Sequence, residues 1–378
     1  MKGELHDSIE SVLPEWEELF RADPEATPFM SPQWARAWWR TFGGSGRPWI
    51  VAVRENGQLV GLAPFILRRR GPLRVLGRPG SHPSQDVLAP SQLRPDVAEA
   101  VAAEIASRRK EWDLMAVSCF PEDSAIERSM RQRGLRLRQR RTATYPRIEL
   151  PGSFDEYLAM LPRKRRKDLR RHLRRLDDGV FEVRQVTEPA AIGAAIDRWH
   201  TLKLNWWEAK EDAEIHAGQR GPGFAGFLRD LMLLMIPAGL GEVWELRHSG
   251  QVVGVEISLL DRRTFYSWEG GHDLGVAHLG PGKVAIGEGI RLSIAAGRRY
   301  YDLMRGGEPY KYWYGARDRE SHSLLVGNDR LTSRTSLFAS APSTGFGRLL
   351  RAGSEIDASG NGQRSNGSAR GDALARTP

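Results

Sequence analysis

Cysteine is nearly missing from this chain: Cys119 stands alone among 378 residues, and one thiol makes neither an intramolecular disulfide nor a multi-cysteine zinc site. Histidines number only nine and none form an HExxH pair at helical spacing, so nothing points to a metal. No run approaches the roughly 18 apolar residues of a membrane-spanning helix, and the opening MKGELHDSIE lacks the apolar centre of a secretory signal. A soluble cytoplasmic protein is the expectation. Two common catalytic motifs are missing as well. GPGKV brings to mind a phosphate loop, but Ala277 holds the first glycine position of GxxxxGK[ST] and Val284 the final hydroxyl position, which leaves no magnesium ligand. Gly43-Gly44-Ser45-Gly46 has the wrong spacing for a serine elbow. Acidic residues are outnumbered, 47 against 56 Lys and Arg. The net charge of +9 favours an anionic partner such as a nucleotide, nucleic acid, acidic carrier protein or membrane surface.

What is present repeats. Val51 to Leu62 reads VAVRENGQLVGL and Trp244 to Val255 reads WELRHSGQVVGV, with five identities in twelve positions. Each predicts a β-hairpin whose turn, Asn56-Gly57 or Ser249-Gly250, supplies positive φ. A second pair follows at nearly the same offset: Trp112-Asp113-Leu114-Met115 and Tyr301-Asp302-Leu303-Met304, each after an Ala-rich helical stretch (Pro95 to Arg109, Lys283 to Arg298). Two matches in one order argue for duplication, each half reading hairpin, strand, helix, strand. The expected division is a first domain over 1–150, a second over 151–330 and a tail over 331–378. The tail is dominated by Ser, Gly, Asn and Arg, and from 352 onward it is too poor in apolar residues to offset ordering entropy.

The informative stretch is Thr264 to Lys311. TFYSWE predicts a strand, Gly280-Pro281-Gly282 a tight loop, and Val284, Ile286, Ile290 and Ile294 one apolar face of a helix. A glycine loop opening directly into a helix N-terminus presents unpaired N–H groups at the positive end of the helix dipole, an arrangement suited to a pyrophosphate.

This stretch resembles the GNAT acyltransferase superfamily, whose loop Gln/Arg-x-x-Gly-x-Gly/Ala cradles coenzyme A. The frame here is Ala277-His278-Leu279-Gly280-Pro281-Gly282, with alanine in place of the first polar residue. A narrower resemblance, over about residues 29 to 315, is to the CelD-like proteins associated with cellulose biosynthesis and, more distantly, to the Fem peptidyltransferases that pair two GNAT-like halves. It is carried by FMSPQWARAWWRTFG at Phe29, LPRKRRKDLRRHLRRL at Leu161, RWHTLKLNWW at Arg198 and YYDLMRGGEPYKYWYG at Tyr300. The resemblance implies an α/β (α+β) fold of tandem duplicated GNAT-like domains, each a mixed, mostly antiparallel sheet flanked by helices. It also implies acyl transfer from acyl-coenzyme A (acetyl-CoA in much of the superfamily) to an amine.

Such a reaction needs an anion cradle, donors to the developing oxyanion and a base for the ammonium proton. Leu279, Gly280, Gly282, Lys283 and Val284 are the donor-binding candidates. Glu269, expected at the end of the strand before the loop, is the candidate base; an exposed strand-end carboxylate is the alternative. Asp302 sits among Tyr, Leu and Met, and the parallel Asp113 favours a structural role for it. The resemblance places Lys311 at the reaction centre, with a solvated surface lysine as the alternative. Tyr310, Tyr312 and Tyr314 are expected on one face of a strand, and Tyr310 could protonate the leaving thiolate. His200, Lys203, Trp206 and Trp207 fall on about two turns of a helix and could line the acceptor cleft. The first half has no equivalent glycine loop and is expected to wall that cleft, with His82 and Asp86 as contact candidates.

The helix Arg163 to Arg175 carries nine Lys and Arg residues with Leu161, Leu169, Leu173 and Leu176 on its inner face, a surface suited to an acyl carrier protein, tRNA, lipid headgroups or phosphate. Three readings follow. The first is an acyl-CoA N-acyltransferase acting on a small primary amine such as an amino sugar or amino acid. The second keeps the fold but takes its acyl group from an aminoacyl-tRNA or an acyl carrier protein. The third is a non-enzymatic basic binding module.

Overall fold

The computed structural model describes residues 1–328 except 81, 83, 84 and 210–221; the expected tail over 331–378 lies outside the described residues. The first half runs β1 (Lys2–His6), α1 (Leu13–Ala22), α2 (Pro32–Phe42), β2 (Arg47–Glu55), β3 (Gln58–Arg70), β4 (Leu73–Gly77), α3 (Arg94–Ser107), β5 (Leu114–Pro121), α4 (Ala125–Gln132) and β6 (Arg136–Glu149). Two connecting helices follow, α5 (Phe154–Met160) and α6 (Arg163–Asp177). The second half repeats the scheme: β7 (Glu182–Gln185), α7 (Pro189–Ala209), α8 (Pro222–Met235), β8 (Gly241–His248), β9 (Gln251–Leu260), β10 (Thr264–His272), α9 (Pro281–Ala295), β11 (Tyr300–Asp302), α10 (Pro309–Trp313) and β12 (Arg317–Gly327).

The two hairpins form as the sequence predicts. Asn56 and Gly57 have φ of 51° and 83°, Ser249 and Gly250 of 49° and 78°; two successive positive φ values match the right-handed strand twist. In each half the hairpin is followed by an antiparallel strand, a helix and a parallel strand, β3–β4–α3–β5 and β9–β10–α9–β11.

All described strands join one sheet, in the order β1-β2-β3-β4-β5-β12-β6-β11-β10-β9-β8-β7. The order is symmetric because the halves exchange their last strands. β6 leaves the first half to pair with β11, β12 leaves the second to pair with β5, and the two lie antiparallel at the centre. The sequence predicts two halves with separate cores; the structure joins them. Trp34 and Trp38 of α2 pack in one buried cluster with Trp199 of α7, Phe227 of α8 and Trp268 of β10, since two amphipathic helical layers on adjoining parts of one sheet bury more apolar surface together than apart. Trp199 is fully buried in this cluster. Trp199→Ala is therefore expected to cost about 3–5 kcal/mol, read as a lower urea midpoint at unchanged m-value.

Candidate active site

β10 and β11 pair over only three positions, Thr264 with Tyr300, Phe265 with Tyr301 and Tyr266 with Asp302. β10 then runs on to His272, with a bulge between Ser267 and Glu269, while the chain after β11 turns away through Met304 at φ 60°. The two strands thus form a fork, with the glycine turn and α6 on one face of the sheet and α7 on the other.

On the first face, the 3-10 turn Leu274–Leu279 ends at Gly280, whose φ of 66° caps α9. A side chain at Gly280 would put its Cβ 2.6 Å from His172 Cε1, so both the backbone angle and the space require glycine. Gly282 is helical and packs on the His272 ring, where a Cβ would lie 3.3 Å from Cε1. Pro281 has no N–H, and the amides of Lys283 and Val284 already donate to the Gly280 carbonyl (3.0 and 3.2 Å), which narrows the backbone anion site toward Gly282. Val284 is buried against Phe181, Leu246 and Val253 and acts through its backbone. The Leu279 carbonyl accepts from Arg175 Nη1. Lys283, expected simply to add positive charge, is held by Asp168 at 2.7 Å and lies over the Trp313 ring. Burial alone would raise the Asp168 carboxyl, but Lys283 holds it below its ordinary value. His272 Nε2 stands 2.8 Å from Glu256 Oε1 of β9.

On the opposite face stands Glu269. It lies inside β10 at the bulge rather than at the strand end, and it is only 4% exposed, unlike an exposed strand-end carboxylate. Lys203 Nζ of α7 is 3.4 Å from its Oε2. Burial raises the carboxyl above its ordinary value; Lys203 opposes the shift without cancelling it. Lys203 is flanked by the rings of Trp206 and Trp207 at 6.0 and 5.7 Å. His200, one helical turn before it, stacks on Trp199. The predicted acceptor helix and the predicted base are thus brought together.

Lys311 is 3% exposed, not a surface lysine. Its ammonium contacts the carbonyls of Met304 (3.1 Å) and Arg305 (2.6 Å) and the Glu308 carboxylate (2.9 Å). Three partners occupy its three N–H donors, so as placed it fastens the turn beyond β11. Burial lowers its pKa. The expected strand of alternating tyrosines is instead the short helix α10, because Pro309 opens a helical turn and Gly315, at φ 84°, closes it. The three tyrosines therefore diverge. Tyr310 is 51% exposed within electrostatic reach of Glu256 and Glu269, Tyr312 donates to Asp318, and Tyr314 is buried beside Tyr301.

Asp302 is fully buried. Its Oδ1 accepts the Met304 amide at 2.8 Å, Oδ2 has no hydrogen-bond partner among the described residues, and burial raises its pKa against the pull of Arg319 and Arg147. Asp113, its sequence counterpart, is bonded instead by Arg74. Between the halves His82 stacks on Phe29 at 3.9 Å with Tyr145 and Tyr266 edge-on, and burial lowers its pKa. Asp86 caps α4 through Ser124 Oγ and the Ala125 amide. Glu256, His272, Asp168 and His172 escape the sequence reading. Only Glu256 carries a local signal, a carboxylate inside the apolar strand run Val252 to Leu260.

Residues 163–312 match the family of acetyltransferase (GNAT) domains. A search of curated proteins gives no match. Among solved structures, FemX is 10% identical, covering 89% of this chain and 99% of its own, with a TM-score of 0.60. The C-terminal domain of a putative lysylphosphatidylglycerol synthetase from Agrobacterium fabrum is 12% identical over 88% and 96%, at 0.53. L-PGS from Bacillus licheniformis is 11% identical over 89% and 96%, also at 0.53. At these identities the likeness is one of fold. The match of residues 163–312 to an acetyltransferase (GNAT) domain, within a two-halved fold shared with FemX, supports a transferase.

Proposed function

We propose that the protein moves an acyl group from acyl-coenzyme A to a primary amine of a small molecule, an amino sugar, amino acid or related metabolite, by direct attack. The observation that carries this reading is the fork itself: a glycine-capped helix N-terminus on one face and a buried carboxylate of raised pKa on the other. Gly280 and Gly282 keep the turn bare, and Lys283 with Arg175 supplies positive charge beside it. The amine nitrogen bonds to the thioester carbonyl carbon, Glu269 takes the ammonium proton, and the carbon–sulfur bond breaks. Tyr310 protonates the leaving thiolate. Lys203 holds Glu269 in place, and His200 and Trp207 border the acceptor side. Lys311 and Asp302 shape the loop after β11. The first half walls the acceptor side, placing His82 between the halves. The CelD-like resemblance and a cytoplasmic location belong to this proposal. The basic α6 supports a second reading, in which an acyl carrier protein or aminoacyl-tRNA supplies the acyl group.

Calorimetric titration with coenzyme A tests the donor side. Wild-type protein should bind, and Lys283→Ala should bind about tenfold more weakly, since it loses one charge-assisted contact. A wild type without affinity for coenzyme A would end the acyl-CoA reading.

A further inference from the structure

α5, α6 and α9 enclose an open groove of about 770 Å³. Its rim is cationic: Arg163, Arg166, Lys167, Arg170 and Arg174 from one stripe of α6, and Arg291 from α9. Its floor is apolar, made by Phe154, Leu158 and Leu173, and Asp177 is the one carboxylate lining it. Among the described residues, the side chains of Arg163, Arg166, Lys167 and Arg174 make no hydrogen bond or ion pair.

Folding does not account for this stripe. Like charges three and four residues apart repel along a helix. The first turn of α6 holds Arg163, Lys164, Arg165 and Arg166 with no acidic residue, which sets cations against the positive end of the helix dipole. Cations of α6 outside this stripe serve the fold: Arg165 donates to the Tyr312 carbonyl, Arg171 to Asp168 and Arg175 to the Leu279 carbonyl. A cationic rim in which Arg170 faces Asp155 at 3.8 Å and Arg291 is held by Glu288, while the other four side chains are unpaired, set around an apolar floor, has the anatomy of a protein interface. A phosphate backbone would satisfy the rim and leave the floor uncovered; an amphipathic helix with carboxylate flanks satisfies both.

We propose that this groove docks an acidic amphipathic helix of a partner protein, specifically a carrier protein that presents the acyl group on a phosphopantetheine arm. α6 links groove to donor turn: its opposite side carries Asp168, bonded to Lys283, and His172, packed on Gly280. The partner therefore sits about one helix diameter, ~10 Å, from that turn, within reach of a flexible arm. The delivery of the arm rests on the acyl-transfer reading above; the docking does not.

Fluorescence anisotropy of the full chain with labelled apo-acyl carrier protein, which lacks the arm, tests docking alone, beside a 20-base-pair RNA duplex and phosphatidylglycerol vesicles as competing probes. The carrier should bind at low salt. The double variant Arg166→Glu/Arg170→Glu should weaken it at least tenfold, and Phe154→Ser at least threefold, with coenzyme A affinity unchanged in both. Absence of carrier binding overturns the proposal. So does tighter binding of RNA or vesicles that Phe154→Ser leaves intact, because the apolar floor would then have no role. Carrier binding without coenzyme A affinity would uphold docking and overturn the acyl-CoA reading instead.

Discussion

Glu269→Gln is expected to lower kcat/KM by about 10²- to 10⁴-fold, the usual loss when a general base is removed, while coenzyme A affinity stays unchanged. The amide keeps the size of the side chain and cannot accept the ammonium proton. The pH profile adds a second check. Burial raises the Glu269 carboxyl above its ordinary value, and below that raised pKa the group is protonated and inactive. Wild-type kcat/KM should therefore climb with pH through an acid limb lying above the normal carboxylate range and then level, and the variant should lose that limb. Stability moves the other way. The folded protein binds this proton more tightly than the unfolded chain, so the contribution of Glu269 is fully present below the unfolded pKa and is lost as pH rises through the folded one. Glu269→Gln should flatten this dependence without lowering Tm at neutral pH, because Lys203 is partly exposed and can hydrate. A kcat/KM within threefold of wild type would remove Glu269 from the role of base.

Gly280→Val is expected to abolish measurable coenzyme A binding and to destabilise the fold by about 2–5 kcal/mol. Two independent costs combine. A β-branched residue at φ 66° pays about 1–2 kcal/mol for the left-handed conformation, and its Cβ would meet His172 Cε1 at 2.6 Å, an overpacking that typically costs about 1–3 kcal/mol. A cycle with Gly280→Ala and His172→Ala separates them. The His172→Ala background should relieve the clash and retain the backbone cost, so Gly280→Ala should be milder there. Equal costs in both backgrounds would show that the α6 contact does not constrain the turn. Full stability together with full coenzyme A affinity in Gly280→Val would refute the donor-turn assignment.

Gly280 was visible as part of a glycine turn between a strand pattern and a helix pattern, but its left-handed φ and the helical φ of Gly282 were not, since the same letters serve either conformation. Glu269 was visible as a carboxylate near Gly270-Gly271. That it lies inside a bulge, buried and paired to Lys203, depends on α7 packing across the sheet.

Duplication, the two hairpins, the bare helix start of α9 and the basic helix α6 were all legible in the chain itself, because each is written in residues close in sequence: turn dipeptides, period-two and period-3.6 alternation, and charge density. Tertiary structure alone decided the rest. The exchange of β6 and β12 is a pairing between distant segments, as are the ion pairs Lys203–Glu269 and Lys283–Asp168, the latter 115 residues apart. The alternation of Tyr310, Tyr312 and Tyr314 fits a strand, but Pro309 opens and Gly315 closes a helical turn there instead. Nothing in the residues around Lys311 tells that Met304, Arg305 and Glu308 hold its ammonium, because those contacts follow from the chain turning away after β11. Local pattern fixes which elements form; the long-range burial that closes one sheet from both halves fixes which charges meet and raises the pKa of carboxylates such as Glu269 and Asp302.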